Sequence, residues 1–171
     1  MSHGGLAKIM DGVYSLTIMN IETIVVGEFQ VNCFIIWGES KRAIIIDPGD
    51  NPELIINFIE KQGLEVASYM LTHGHMDHIS TLAELYQAKP APIGLHPADA
   101  AWAFTDLNQM LPFYSTPTAP AEIARSLEDG QRWEDGGLKY SIIATPGHTP
   151  GGVCFHFHDD NALIVGDTLF A

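Results

Sequence analysis

The chain reads as an α/β layered domain, and three observations predict it. Short runs rich in β-branched and aromatic residues crowd the stretch up to Ile46. Strand and helix signals then alternate from Pro52 to Leu95, and further strand runs follow from Leu138 onward. Early hairpins followed by strand–helix alternation give a sheet covered by helices. A length of 171 residues corresponds to about one domain. Its 46% apolar and 17% charged residues supply enough material for an ordinary buried core.

The elements follow from local signals. Val13 to Thr17, Ile21 to Val26, Val31 to Trp37 and Ala43 to Ile46 read as strands separated by glycine-containing or charged breaks, with Lys41-Arg42 in a hairpin turn. Asp47-Pro48-Gly49 ends this meander. A helix is predicted from Pro52 to Gln62, with Asn51 as N-cap, Pro52 at the first helical position and Gly63 just past the end. Leu54, Ile55, Phe58 and Ile59 give it helical apolar spacing. Val66 to Leu71 is a buried strand, and a helix from about His78 to Lys89 places Ile79, Leu82, Leu85 and Tyr86 on one face. Pro92 to Leu95 is a short strand, Pro97 to Ala103 is helical, and Asn108 to Pro120, with its prolines and the pair Phe113-Tyr114, is a long loop. Leu138 to Thr145, Val153 to His158 and Ala162 to Val165 complete the strands. Residues 1–18 form an N-terminal extension or first strand whose opening Met1-Ser2-His3-Gly4-Gly5 resembles a cloning remnant, and Met19 is an alternative start. Residues 19–171 form the domain.

Net charge is −13, from 21 acids against 8 bases, and the bases are scattered. That argues against nucleic acid, because phosphate contact needs clustered Lys and Arg. No apolar run reaches the roughly 18 residues of a membrane span, and no export signal opens the chain. Cys33 and Cys154 make no disulfide framework and read as buried structural thiols in a reducing compartment, so a cytoplasmic location is expected.

The chemistry concentrates in Thr72-His73-Gly74-His75-Met76-Asp77-His78. In an extended segment alternate side chains share a face, so His73 and His75 can reach one ion together, and Gly74 lets the backbone turn between them. Asp77 and His78 begin the next helix and can point to a second ion. His148, in Thr145-Pro146-Gly147-His148-Thr149, and Asp167, in Val165-Gly166-Asp167-Thr168, add an imidazole and a carboxylate from loops at strand ends. Imidazole nitrogen and carboxylate oxygen suit borderline divalent ions such as zinc. His96 reads instead as a turn residue. His156 and His158, alternating with Phe155 and Phe157, read as the solvent face of a strand.

The segments Thr72 to His78, Thr145 to Gly151 and Gly166 to Phe170 resemble successive motifs of the metallo-β-lactamase superfamily. Asn32-Cys33-Phe34 and Ile46-Asp47-Pro48-Gly49 resemble its glyoxalase II-like (hydroxyacylglutathione hydrolase) branch. The resemblance implies an αββα sandwich with a dinuclear site between two sheets. Residue by residue, it implies that His73, His75 and His148 bind one metal, that Asp77 and His78 bind the other, and that Asp167 bridges them. The ions expected are two divalent metals, zinc first, with iron or manganese as further choices. It also implies that Asp47 positions the ligand loop; a turn-forming Asp before Pro-Gly is the other reading. Members of this family continue past the bridging Asp with a helix, a last strand and a final histidine ligand. A C-terminal strand and helix missing from the chain are therefore expected, with an oligomer as one way to cover the incomplete edge.

The activity this implies is hydrolysis of a small-molecule acyl thioester such as a hydroxyacylglutathione, by a water bridging the two ions. Asp77 orients the nucleophile, and Phe113 and Tyr114 are candidates for a flap. The first rival is a mononuclear iron persulfide dioxygenase held by His73, His148 and Asp167. Lactone or β-lactam hydrolysis uses the same motif, whereas acidity disfavours phosphodiesters. A rival of another class is a non-catalytic metal-binding or interaction module completed by a partner.

Overall fold

A computed structural model describes residues 19–169. The strand expected at Val13 to Thr17, the 1–18 extension as a whole, and Phe170 lie outside the described residues. Strands β1 (Asn20–Val26), β2 (Val31–Trp37) and β3 (Arg42–Ile46) form an antiparallel meander. Then come α1 (Pro52–Gln62), β4 (Glu65–Met70), α2 (Met76–Ile79), α3 (Leu82–Ala88), β5 (Ile93–Leu95), α4 (Pro97–Ala100) and β6 (Arg125–Ser126). Strands β3 to β6 pair in parallel, giving a six-stranded sheet in the order β1-β2-β3-β4-β5-β6. Four more strands, β7 (Arg132–Asp135), β8 (Leu138–Ala144), β9 (Val153–Phe157) and β10 (Ala162–Ile164), make an antiparallel second sheet in the order β10-β9-β8-β7.

The two-residue period of a strand explains the layering. On β2 and β3, Cys33, Ile35, Ala43 and Ile45 face one way and pack with Ile55 and Ile59 of α1 and Leu82 and Leu85 of α3. Ile36, Ile44 and Ile46 face the other way and meet Tyr140, Ile142, Phe155 and Phe157 of the second sheet. Helix, sheet and sheet are thus stacked in that order. Burying one such Ile side chain stabilises by roughly 1.5–3 kcal/mol, so the two cores fix which faces meet. The Tyr69 hydroxyl donates to the carbonyls at the end of α3, 2.9 Å to Lys89 O and 3.1 Å to Leu85 O, and pins that helix to the sheet.

A polar cluster fastens the sheets to each other. Arg125 on β6 donates two hydrogen bonds to Asp135 on β7, at 2.6 and 2.8 Å. The Tyr140 hydroxyl adds a third at 2.6 Å and Ser68 of β4 a fourth at 3.2 Å. Burial works against the Asp135 charge, but the bonds from Arg125 and Tyr140 outweigh it and hold the carboxyl below its ordinary range.

Four expectations need correction. The helix expected from His78 to Lys89 is two helices, because Gly49 O takes the Thr81 N–H at 3.0 Å while Gly49 N donates to His78 O at 2.9 Å. The Asp47-Pro48-Gly49 loop therefore captures backbone groups at the break and closes the first turn early. Asn51 precedes α1 but does not cap it with its side chain. It adopts φ 52°, and its Oδ1 accepts instead from Gly27 N at 2.9 Å, bracing the β1–β2 hairpin. Leu54, assigned to the apolar stripe, is 45% exposed. The helix expected to reach Ala103 ends at Ala100 and continues as turns. Cys33 and Cys154 are free and buried, as expected, and burial pushes the Cys33 thiol far above its ordinary value. No helix among the described residues is long and apolar enough to cross a membrane.

Candidate metal centre

The histidine motif follows the end of β4. Its Thr72 carbonyl accepts from Val153 N at the start of β9, at 2.8 Å, so the first ligand loop is stitched to the second sheet by its own backbone. His75 precedes α2 with extended φ and ψ (−65°, 146°), and Asp77 and His78 occupy the helix's first turn. From the second sheet, the β8–β9 loop brings His148 and the short 3-10 turn Gly166–Thr168 brings Asp167. Gly166 has φ +49°, and a Cβ there would strike the Thr72 side chain. A glycine at this point is what lets Asp167 approach the histidines.

All six residues singled out from the sequence converge. Ligand atoms of His73, His75 and His148 lie within 4.8 Å of one another, and those of Asp47, His73 and His78 form an adjoining group. His75 Nδ1 is 2.9 Å from His148 Nε2. Asp167 faces both sets: one carboxylate oxygen is 3.4 Å from His78 Nε2 and the other 3.4 Å from His148 Nε2. Asp77 stands 3.8 Å from His78 Nε2. Beside Asp77, His78 and Asp167 a groove of about 610 Å³ opens between Phe29 and Phe34 on one side and Leu163 and Leu169 on the other.

The hydrogen bonds around His73 decide which nitrogen is available. The Thr72 hydroxyl has one proton and gives it to Asp47 Oδ2 at 2.6 Å. Its oxygen, 3.0 Å from His73 Nδ1, must then accept from that nitrogen. His73 therefore carries its proton on Nδ1 and presents a bare Nε2 to the cluster. That Nε2 is buried with no hydrogen-bond partner among the described residues. An unsatisfied buried acceptor costs on the order of 1–3 kcal/mol, and a cation in the cluster would remove that cost. Burial, and after it the neighbouring imidazoles, push His73 down to about 2, and burial with His148 lowers His75. Both rings are thus neutral, the form that binds metal. For His78 burial works the other way from its partners, yet Asp47, Asp167 and Asp77 together raise it to about 10. The attraction that holds a proton there is the attraction a divalent cation would feel. Asp167 is lowered, chiefly by its hydrogen bond to His78. The donor set, imidazoles with carboxylates, fits a pair of divalent ions.

Asp47 satisfies both of its readings. It turns the chain with φ 51°, and its buried carboxylate accepts from Thr72 N at 2.8 Å and lies 3.1 Å from His78 Nδ1. Gly74 serves differently from the expectation. Its backbone is not left-handed; it is instead crowded, since a Cβ would sit 3.1 Å from Asp99 Cβ and 3.2 Å from Ala103 Cβ. Phe113 is exposed and packs on Phe29 at the hairpin tip, whereas Tyr114 is buried and its hydroxyl accepts from Glu28 N. His96 caps α4 by accepting from Ala98 N, and His158 pairs with Ser141 on the second sheet. Two residues were passed over. Asp99 and Asn108 are both buried and both bond to the ligand loops. A lone Asp in a helix's first turn and a loop Asn carry no sequence signal of that kind.

Residues 26–171 match the metallo-beta-lactamase superfamily. The chain belongs to that superfamily. It is similar to hydroxyacylglutathione hydrolase GloC of Haemophilus influenzae, with 34% identity over 154 residues, covering 89% of this chain and 73% of that protein. Its fold is similar to that of the B3 metallo-β-lactamase BLEG-1, with a TM-score of 0.82 and 28% identity over 89% of this chain and 74% of the other. TTHA1623, solved in a di-iron-bound form, superposes with a TM-score of 0.77 and 31% identity, covering 88% and 73%. The αββα sandwich expected from the sequence is thus the fold of the chain's structural neighbours, and the family match places the chain in the metallo-hydrolase superfamily.

Proposed function

We propose that this domain is a dinuclear metallo-hydrolase acting on acyl thioesters of the hydroxyacylglutathione kind. His73, His75 and His148 would hold one ion, Asp77 and His78 the other, and Asp167 lies between the two sets. The observation that carries this reading is the buried Nε2 of His73, which sits in the cluster without a hydrogen-bond partner among the described residues. The name of the GloC relative supports a thioester substrate. Zinc is the first choice of metal, and the di-iron form of TTHA1623 supports iron as the alternative.

Bound there, divalent ions supply Lewis acidity and lower the pKa of water. The chain's own residues do the rest. The Thr72 hydroxyl and Asp47 fix the His73 tautomer, as outer partners of ligating histidines generally do. Asp77, partly exposed at the groove, orients the attacking water and takes up its proton. Phe29, Phe34 and Leu163 line the groove beside Asp77 and offer apolar contacts to the acyl group.

The test is turnover of S-lactoylglutathione by the zinc- or iron-loaded chain, with metal counted by elemental mass spectrometry. His75→Ala and Asp77→Asn are expected to reduce turnover to background. Undiminished activity in either variant would sink the assignment, as would oxygen uptake with a persulfide in place of hydrolysis.

A further inference from the structure

Asp99 lies on α4, away from both ligand loops in sequence, and is fully buried. One of its carboxylate oxygens accepts from Gly74 N at 2.9 Å and from the Thr149 hydroxyl at 2.7 Å. The other accepts from Gly151 N at 2.8 Å. Gly74 separates His73 from His75, while Thr149 and Gly151 follow His148. One side chain therefore touches the loop from the first sheet and the loop from the second. The fit is tight, since a Cβ on Gly151 would come within 2.8 Å of the Asp99 carboxyl carbon. Asn108 holds the other side of the same loop, donating to Gly74 O at 2.8 Å and accepting from Met76 N at 3.1 Å.

We infer that Asp99 is a positioning residue for the imidazole cluster: its carboxylate sets the separation of the His73–His75 loop from the His148 loop, and with it the affinity for a divalent ion. The inference rests on reading the cluster as a metal site. Its chemistry explains why a carboxylate is needed. Three donors converge on the side chain, and an ionised carboxylate is acceptor-only with two oxygens. An amide would turn an NH2 toward one of these N–H or O–H groups and push that loop away. A buried charge is costly unless it is well bonded, and two peptide N–H groups and a hydroxyl satisfy this one.

The experiment is titration of the full chain with Co(II), following its visible d–d bands, alongside chemical unfolding of the metal-free protein. Asp99→Asn is expected to weaken the tighter Co(II) step by about 10- to 100-fold and to alter the band pattern. Thr149→Val, which removes one donor and keeps the carboxylate, should weaken it by about threefold and carries the test if Asp99→Asn does not fold. Asp135→Asn is the control, a buried carboxylate outside the cluster; it should lower the unfolding midpoint and leave Co(II) affinity unchanged. Wild-type affinity and spectrum in the folded variants would overturn the inference. So would an equal affinity loss in Asp135→Asn, which would assign the effect to general loosening. If the wild-type chain takes up no Co(II), the metal reading falls and takes the inference with it; binding that is insensitive to Asp99 would remove the inference alone.

Discussion

Two polar clusters bridge the sheets, and they are satisfied to different degrees. Around Asp135 the charge has its counter-charge: Arg125 grips the carboxylate with two bonds, and Tyr140 and Ser68 add theirs. Among His73, His75, His78, His148 and Asp167 the rings crowd together, and His73 Nε2 has no hydrogen-bond partner among the described residues. Buried polar groups in native proteins are nearly always bonded. A cluster that is complete without help reads as structure, and one left short of a cation reads as a place for one.

The comparison breaks first on stability. Asp135→Ala leaves Arg125 partly buried without its counter-charge and should cost about 3–5 kcal/mol. His73→Phe, by contrast, removes an acceptor that lacks a partner together with the Nδ1–H bond to the Thr72 hydroxyl, and because these two effects oppose each other it should cost only about 1–2 kcal/mol in metal-free protein. Urea unfolding of both variants decides the matter, and equal losses would erase the distinction. A finer probe is pH. Asp135 has a lowered folded-state pKa, so its stabilisation is fully present above the unfolded value of 3.8 and is lost as pH falls through the folded one. The stability gap between wild type and Asp135→Asn should therefore stay flat from roughly pH 8 to 5 and close below about pH 4; a gap that closes near neutrality would point to another group. The smallest effect belongs to the rim. Tyr114→Phe deletes one neutral hydrogen bond to Glu28 N, worth about 1 kcal/mol, and thermal unfolding should register no more than that.

What the sequence made legible is what local rules govern. Val31–Trp37 and Arg42–Ile46 are β-branched runs whose alternate residues had to face two cores, and they do so. The six ligand candidates could be named because histidines and aspartates at loop tips have few other uses in that pattern. The misreadings share one cause, which is that distant chain decided local structure. Gly49 breaks the helix at Ser80-Thr81, and Gly27 draws the Asn51 side chain from its cap. Strands β6 and β7 were missed because Arg125–Ser126 is too short for periodicity and Arg132–Asp135 is mostly charged. Asp99 acts on residues 25 and 52 positions away, a separation across which no motif extends.

That His73 and His75 come from one sheet and His148 and Asp167 from the other has a thermodynamic consequence. On the proposed ligand set, an ion is also a crosslink between halves of the domain that otherwise meet through side-chain packing and a few polar bonds. Whatever binds the native state and not the unfolded chain adds its binding free energy to folding. Resistance of this domain to heat or protease then becomes a reading of how much free metal surrounds it.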